Sequence, residues 1–211
     1  MVKVLLFDFW GTLVEQGVHS PIKQVKNLLQ INLPFPDYVV RMERAMMTRT
    51  FPGLQEAFQS VCAEFQIECP REIMEELVGM WNASWMLARP YPDVEKALAE
   101  LKKKYTLVLI SNTDSISVQK VLEKYNLRPY FDNVFFSFEM GLLKTDKDFL
   151  TQVVGQLNVG VEDCVMIGDS IQSDILPAKH LGMPTILMDR KGRREMDPSI
   201  RTLKELETML A

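Results

Sequence analysis

Four apolar runs in this chain stop abruptly on a polar residue or a glycine. Val4-Leu5-Leu6-Phe7 stops on Asp8, Thr106 to Ile110 on Ser111-Asn112, Val134-Phe135-Phe136 on Ser137, and Cys164 to Ile167 on Gly168-Asp169-Ser170. A shorter fifth run, Thr185 to Met188, follows the break at Gly182-Met183-Pro184. A strand exposed on one face would alternate, so unbroken runs of this length indicate strands covered on both faces. Helical patterns separate them. Val94, Ala97, Leu98 and Leu101 have i, i+3, i+4, i+7 spacing with Asp93 as its expected cap. Val118, Val121, Leu122 and Tyr125 repeat that spacing with a cap expected near Ser115, and further patterns fall on Val153, Val154, Leu157 and on Ile175, Ala178, Leu181. Strands alternating with such helices build βαβ units and a parallel sheet. The polar groups that end the strands then converge on one sheet edge, where open α/β sheets place their ligand sites.

Residues 15–87 break the alternation with helical patterns and no convincing strand, punctuated by Pro34, Pro36, Pro52 and Pro70. The expected architecture is therefore α/β: a Rossmann-like parallel sheet flanked by helices, with an inserted α-helical cap domain. Its core would comprise residues 1–14 and 88–211, and its cap residues 15–87, joined by connectors near Val14–Gly17 and Leu87–Pro92. Trp81, Trp85, Met42, Met46 and Met47 are expected to pack helix on helix. The charged tract from Asp189 to Asp197 is expected to be a solvated loop before a short closing helix.

At 211 residues the chain can bury one domain and a sizeable insertion. A net charge of −4 argues against a nucleic-acid footprint or an anionic-membrane surface. Three cysteines without a CxxC pair suit a reducing compartment, and no run approaches the roughly 18 apolar residues of a membrane span. A cytoplasmic protein acting on a small-molecule substrate is the expectation; oligomeric state is left open.

Each polar strand end has an ordinary structural explanation by itself. An Asp after a strand is commonly a turn or cap residue, Ser111-Asn112 suits a helix start, Lys144 is one lysine among many, and Asp169 with Asp174 suits a turn. Their joint occurrence in order is what resembles the haloacid dehalogenase-like hydrolase superfamily. Asp8-Phe9-Trp10-Gly11-Thr12 is similar to its first motif and Ser111 to its second. Lys144 in Gly141-Leu142-Leu143-Lys144 is similar to the third, and Gly168-Asp169-Ser170 with Asp174 to the fourth. The resemblance implies that Asp8 is a nucleophile and that Thr12, Ser111, Asn112 and Lys144 bind phosphate. It also implies that Mg²⁺ is held by Asp8, Asp169 and the backbone carbonyl of Trp10, with Asp174 in support. The chemistry agrees. Two converging carboxylates without a cation would force one to protonate, and Mg²⁺ takes hard oxygen ligands together with phosphate oxygens. Lys144 and Ser111 would add a point charge and a hydroxyl donor for the transferring oxygens.

Trp10 departs from the pattern, because family phosphatases carry a second Asp there as general acid and base. Such a group contributes roughly 10²–10⁴-fold, so an alkyl phosphate should suffer most and an aryl or acyl phosphate least. Family dehalogenases carry an aromatic Tyr at this place, expel halide without a proton, use no metal and bring in a cap arginine, for which Arg41, Arg44 and Arg49 are candidates. Thr145 stands where the family usually has Pro. The leading expectation is a Mg²⁺-dependent phosphatase of a small phosphorylated metabolite working through an aspartyl-phosphate. The alternatives are a 2-haloacid dehalogenase using Asp8, or a degenerate member that binds phosphorylated ligands with little turnover.

Overall fold

The computed structural model describes residues 2–210. β1 (Val4–Phe7) leads through a tight loop into β2 (Val14–Glu15). Four helices follow with no strand between them: α1 (Pro21–Leu28), α2 (Phe35–Met47), α3 (Leu54–Glu64) and α4 (Arg71–Met86). β3 (Arg89–Pro90) brings the chain back. The remainder alternates through α5 (Val94–Leu101), β4 (Thr106–Ser111), α6 (Ser117–Lys124), β5 (Asn133–Phe136), α7 (Ser137–Met140), α8 (Lys147–Leu157) and β6 (Cys164–Gly168). It closes with α9 (Leu176–His180), β7 (Thr185–Met188), β8 (Ser199–Ile200) and α10 (Lys204–Met209).

Six strands form one sheet in the order β5-β4-β1-β6-β7-β8, and every pairing in it is parallel. β1 lies between β4 and β6, with Phe7 opposite Leu109 on one side and Ile167 on the other. The chain order reverses at β1, so the ends of β1, β4 and β6 flank the crevice where such sheets bind ligands. The apolar runs are continuous because alternate residues feed different cores. Leu5 and Phe7 pack with α5, α6 and α10, while Val4 and Leu6 pack with α8 and α9 across the sheet. A third core belongs to the insertion, where Tyr38, Met42, Met46, Phe58, Val61, Leu77 and Trp81 pack together. Among the described residues no helix is long and apolar enough to cross a membrane.

All five apolar runs form strands, but several local expectations need correction. The two connectors pair with each other as an antiparallel ribbon, Val14 opposite Pro90 and Glu15 opposite Arg89. Two-residue strands carry no readable period, so this ribbon leaves no mark in the sequence. β8 is equally short and equally unmarked. Asp93 makes no cap hydrogen bond to α5; its carboxylate takes a bidentate contact from Arg190 Nη1 at 2.7 and 2.8 Å and a bond from the Leu203 amide. The cap expected near Ser115 is Asp114, whose Oδ1 accepts the amides of Ile116 and Ser117 at the start of α6. The segment before α9 winds as one π-helical turn over Ile171–Ile175. The tract from Asp189 is not simply solvated, since the Arg190 side chain is 9% exposed and its guanidinium also donates to the Thr12 carbonyl.

Candidate active site

Asp8 leaves β1 at the sheet edge, and the chain must then turn sharply to reach β2. Gly11 makes that turn possible with a φ of +81°, a left-handed conformation that costs a side-chain-bearing residue dearly. Its missing Cβ also leaves space for Asp169, whose Oδ2 would otherwise stand 2.6 Å from it. The first and fourth motifs therefore interlock through a glycine.

Lys144 lies between two carboxylates. Its Nζ donates to Asp8 Oδ1 at 2.6 Å and to Asp174 Oδ1 at 2.5 Å, with the lysine side chain only 3% exposed. Asp8 Oδ2 accepts from the Thr12 hydroxyl at 2.9 Å, and Asp174 Oδ2 from the Ser170 amide at 2.9 Å. Burial by itself would lower the lysine pKa, but Asp174 and Asp8 override it and hold the ammonium charged. Asp169 adds a third carboxylate: one oxygen each from Asp8, Asp169 and Asp174 lie within 4.8 Å of one another. Burial, followed by the charges of Asp8 and Asp174, pushes Asp169 up to about 8, against the opposing pull of Arg194 and Lys144. Two buried acids and a half-buried third meet around one ammonium, so carboxyl groups outnumber the positive charge beside them. A donor set of carboxylate oxygens short of positive charge is what a hard divalent cation fits.

These groups floor a cavity of about 610 Å³, a size suited to a small ligand. Its floor includes Asp8, Trp10, Asn112, Thr113, Lys144, Asp169 and Asp174; its opposite wall is mostly apolar and comes from the insertion, with Ile22, Phe35, Val39, Met47, Trp81 and Trp85. Trp81 and Met47 therefore both pack in the insertion core and face the cavity. The insertion is tied down beside it by Trp81 Nε1 donating to Asp114 at 3.0 Å and by Arg44 gripping Asp146 at 2.6 and 3.1 Å.

The sequence-predicted residues do not all point the same way. Asp8, Trp10, Asn112, Lys144, Asp169 and Asp174 line the cavity together. Thr12 and Ser111 are fully buried beside it, Thr12 turned to Asp8 and the Ser111 hydroxyl directed at the Asn112 carbonyl, 3.4 Å away. Trp10 is pinned by its indole N–H to the Thr113 hydroxyl at 3.2 Å and edge-on to Phe9. Arg41 is paired with Glu64, Arg44 with Asp146, and Arg49 with Ser60. None of the three arginines is among the residues lining the cavity.

Among the lining residues that the sequence motifs do not single out, two are charged groups at the motif residues. Arg194 reaches in from the charged tract and donates to the Asp169 carbonyl. Glu43, on α2, is buried and accepts from Asn112 Nδ2 at 2.8 Å. Its position had a readable signal: it stands four residues after Val39 and four before Met47, an acid on an apolar helical stripe.

A family model described as haloacid dehalogenase-like hydrolase matches residues 2–182. A glyceraldehyde 3-phosphate phosphatase of Methanocaldococcus jannaschii is 28% identical over 98% of this chain and 96% of its own length. Among solved structures, a phosphatase from Thermococcus onnurineus superposes with a TM-score of 0.65 at 24% identity, covering 100% of this chain and 98% of the other. An L-2-haloacid dehalogenase from Xanthobacter autotrophicus superposes as well, with a TM-score of 0.67 at 17% identity and the same coverage. The shared fold thus does not separate the two chemistries.

Proposed function

The chain belongs to the haloacid dehalogenase-like hydrolases, and from that premise we propose that it is a Mg²⁺-dependent phosphatase of a small phosphorylated metabolite, with Asp8 as nucleophile. The observation that carries this reading is the cluster of Asp8, Asp169 and Asp174 with the buried Lys144 as the ammonium among them. The phosphatase similar along nearly its whole length supports the same chemistry. Dehalogenation is favoured by the aromatic residue at Trp10, but Arg41, Arg44 and Arg49 are each held elsewhere.

Asp8, Asp169 and the Trp10 carbonyl would hold the ion. When bound, Mg²⁺ supplies positive charge against the phosphoryl oxygens. Lys144 and Thr12 hold one oxygen each of Asp8, fixing the carboxylate's orientation at the strand end. Attack by Asp8 on phosphorus forms an O–P bond and breaks the ester P–O bond, and the leaving oxygen takes up a proton. Water then attacks the aspartyl-phosphate, releasing phosphate and restoring Asp8. Residues 15–87 act as a cap in this reading, its apolar wall keeping bulk water from the intermediate.

Phosphate release from 4-nitrophenyl phosphate tests the proposal. The expected result is turnover that stops with EDTA, returns with Mg²⁺, and falls by about 10³-fold or more in Asp8→Asn. Chloride release from a 2-chloro acid, indifferent to EDTA, would overturn it in favour of the dehalogenase. Tight phosphate binding with no turnover of either substrate would instead indicate a binding member of the family.

A further inference from the structure

An ester of a basic alcohol cannot leave as a bare alkoxide at useful speed, so a phosphatase acting on one needs a proton donor at the leaving oxygen. Trp10 has no exchangeable acid to offer. We propose that Glu43, brought into the cavity by α2, is the catalytic residue that protonates the leaving oxygen and then takes a proton from the attacking water. This assignment rests on the phosphatase reading of Asp8.

Elimination supports it first. Among the described residues lining the cavity there is no histidine, cysteine or tyrosine, and five carboxyl groups. Asp8 and Asp174 are both bound to the Lys144 ammonium. Asp114 accepts from the Trp81 indole and from two backbone amides, which fixes it as an acceptor. Asp169 belongs to the proposed cation site. Glu43 differs from all four: its hydrogen bond comes from a neutral amide, Asn112 Nδ2, to one carboxyl oxygen. The other oxygen is left available to a ligand.

Position supports it next. Asn112 takes the Lys144 backbone amide on its Oδ1 at 2.9 Å while holding Glu43 with its Nδ2. One amide side chain therefore registers the cap acid against the loop that carries the lysine on Asp8. An in-line displacement sends the leaving oxygen away from the nucleophile, which here means from the sheet edge toward the insertion wall that bears Glu43. Protonation state agrees. Burial pushes the Glu43 carboxyl up to about 7; the Asn112 bond and the Lys144 charge oppose that, while Asp174 and Asp8 add to it. The Tyr38 phenol also feels the Glu43 charge and is raised, mainly by its own burial. A carboxyl poised near neutrality can both give and take a proton. In the first step its O–H proton passes to the leaving oxygen as the P–O bond breaks. In the second the carboxylate takes a proton from water as the acyl phosphate hydrolyses, so the acid is restored each cycle.

The test compares two substrates on wild type and Glu43→Gln, which keeps the side chain's size and an acceptor for Asn112. Glycerol phosphate has a poor leaving group and 4-nitrophenyl phosphate a good one. Glu43→Gln is expected to lower kcat on glycerol phosphate by roughly 10²–10⁴-fold and on the aryl ester by less than about tenfold. Wild type should lose kcat on glycerol phosphate as pH rises past about 7, a limb missing on the aryl ester. That pH comparison needs no variant, so it stands even if the substitution impairs folding. Equal losses on both esters, no loss on either, or the same pH profile for both would overturn the role of Glu43 and leave the phosphatase reading intact. Wild type inactive on both esters would overturn the phosphatase reading, and this assignment with it.

Discussion

Gly11 carries both kinds of constraint that a glycine can answer, a φ of +81° and a carboxylate 2.6 Å from where its Cβ would stand. Gly141 carries only the first, with a φ of +68° and open space around it. Gly11→Ala should therefore cost about 1–2 kcal/mol in strain and also push Asp169 off its place, which in the proposed Mg²⁺-dependent phosphatase would raise the Mg²⁺ needed for half-maximal activity by about tenfold or more. Gly141→Ala should show a similar strain cost and an unchanged Mg²⁺ response. A Mg²⁺ titration of both variants separates crowding from strain. Glu43 gives a second expectation. Its carboxyl is raised by burial from an ordinary 4.5 to about 7. The folded state therefore holds the proton more tightly, and the stability this group contributes is fully present below pH 4.5 and lost as pH rises to about 7. Glu43→Gln should match wild type near pH 4.5 and exceed it above pH 7 by up to about 3 kcal/mol. Urea unfolding at both pH values checks this; a constant difference would mean that Glu43 titrates normally. Asp8, Lys144 and Asp169 were legible as candidates because their types and order are unusual. Glu43 left only a partial mark, an acid on an apolar stripe, because a helical stripe does not reveal which cavity it faces.

Arg190 shows how an element is held by residues far from it in sequence. It joins the tract after β7 to Asp93 before α5 and to the carbonyl of Thr12 in the loop after β1. Both ion-pair partners are largely buried, at 9% and 10% exposed. Removing one partner would strand the other charge, so Asp93→Ala should cost about 3 kcal/mol, measured by thermal or denaturant unfolding. The Arg44–Asp146 pair is different, with side chains 49% and 22% exposed. Solvent screening leaves such a pair worth less than about 1 kcal/mol. A fall of under 1 kcal/mol in Asp93→Ala would show that Arg190 finds water or another acceptor. At this scale the regular elements were readable and their fastenings were not. The α5 stripe is a local period, but whether Asp93 caps that helix or pairs with Arg190 depends on where the tract after β7 comes to lie.

The described residues form three apolar cores, two on the faces of the sheet and one inside the insertion. The insertion joins the rest at the β2–β3 ribbon and through the contacts of Trp81, Glu43 and Arg44. Phe58 is fully buried in the insertion core against Trp81. Phe58→Ala should therefore cost about 3–5 kcal/mol chiefly within residues 15–87. Hydrogen exchange would report it as faster opening of α2 to α4, with the amides of β1, β4 and β6 still protected. Equal acceleration in both regions would mean that the cores unfold as one unit. The sequence by itself determined the parallel sheet, the helical insertion and the residues at the strand ends, because periodicity and strand polarity are local properties that survive without coordinates. Tertiary structure alone decided which groups meet. It set Lys144 between Asp8 and Asp174, engaged the Thr12 hydroxyl with Asp8 and the Ser111 hydroxyl with the Asn112 carbonyl, and brought Glu43 to Asn112 across 69 residues of chain. Those meetings depend on how separately folded layers pack, and no short-range pattern encodes that.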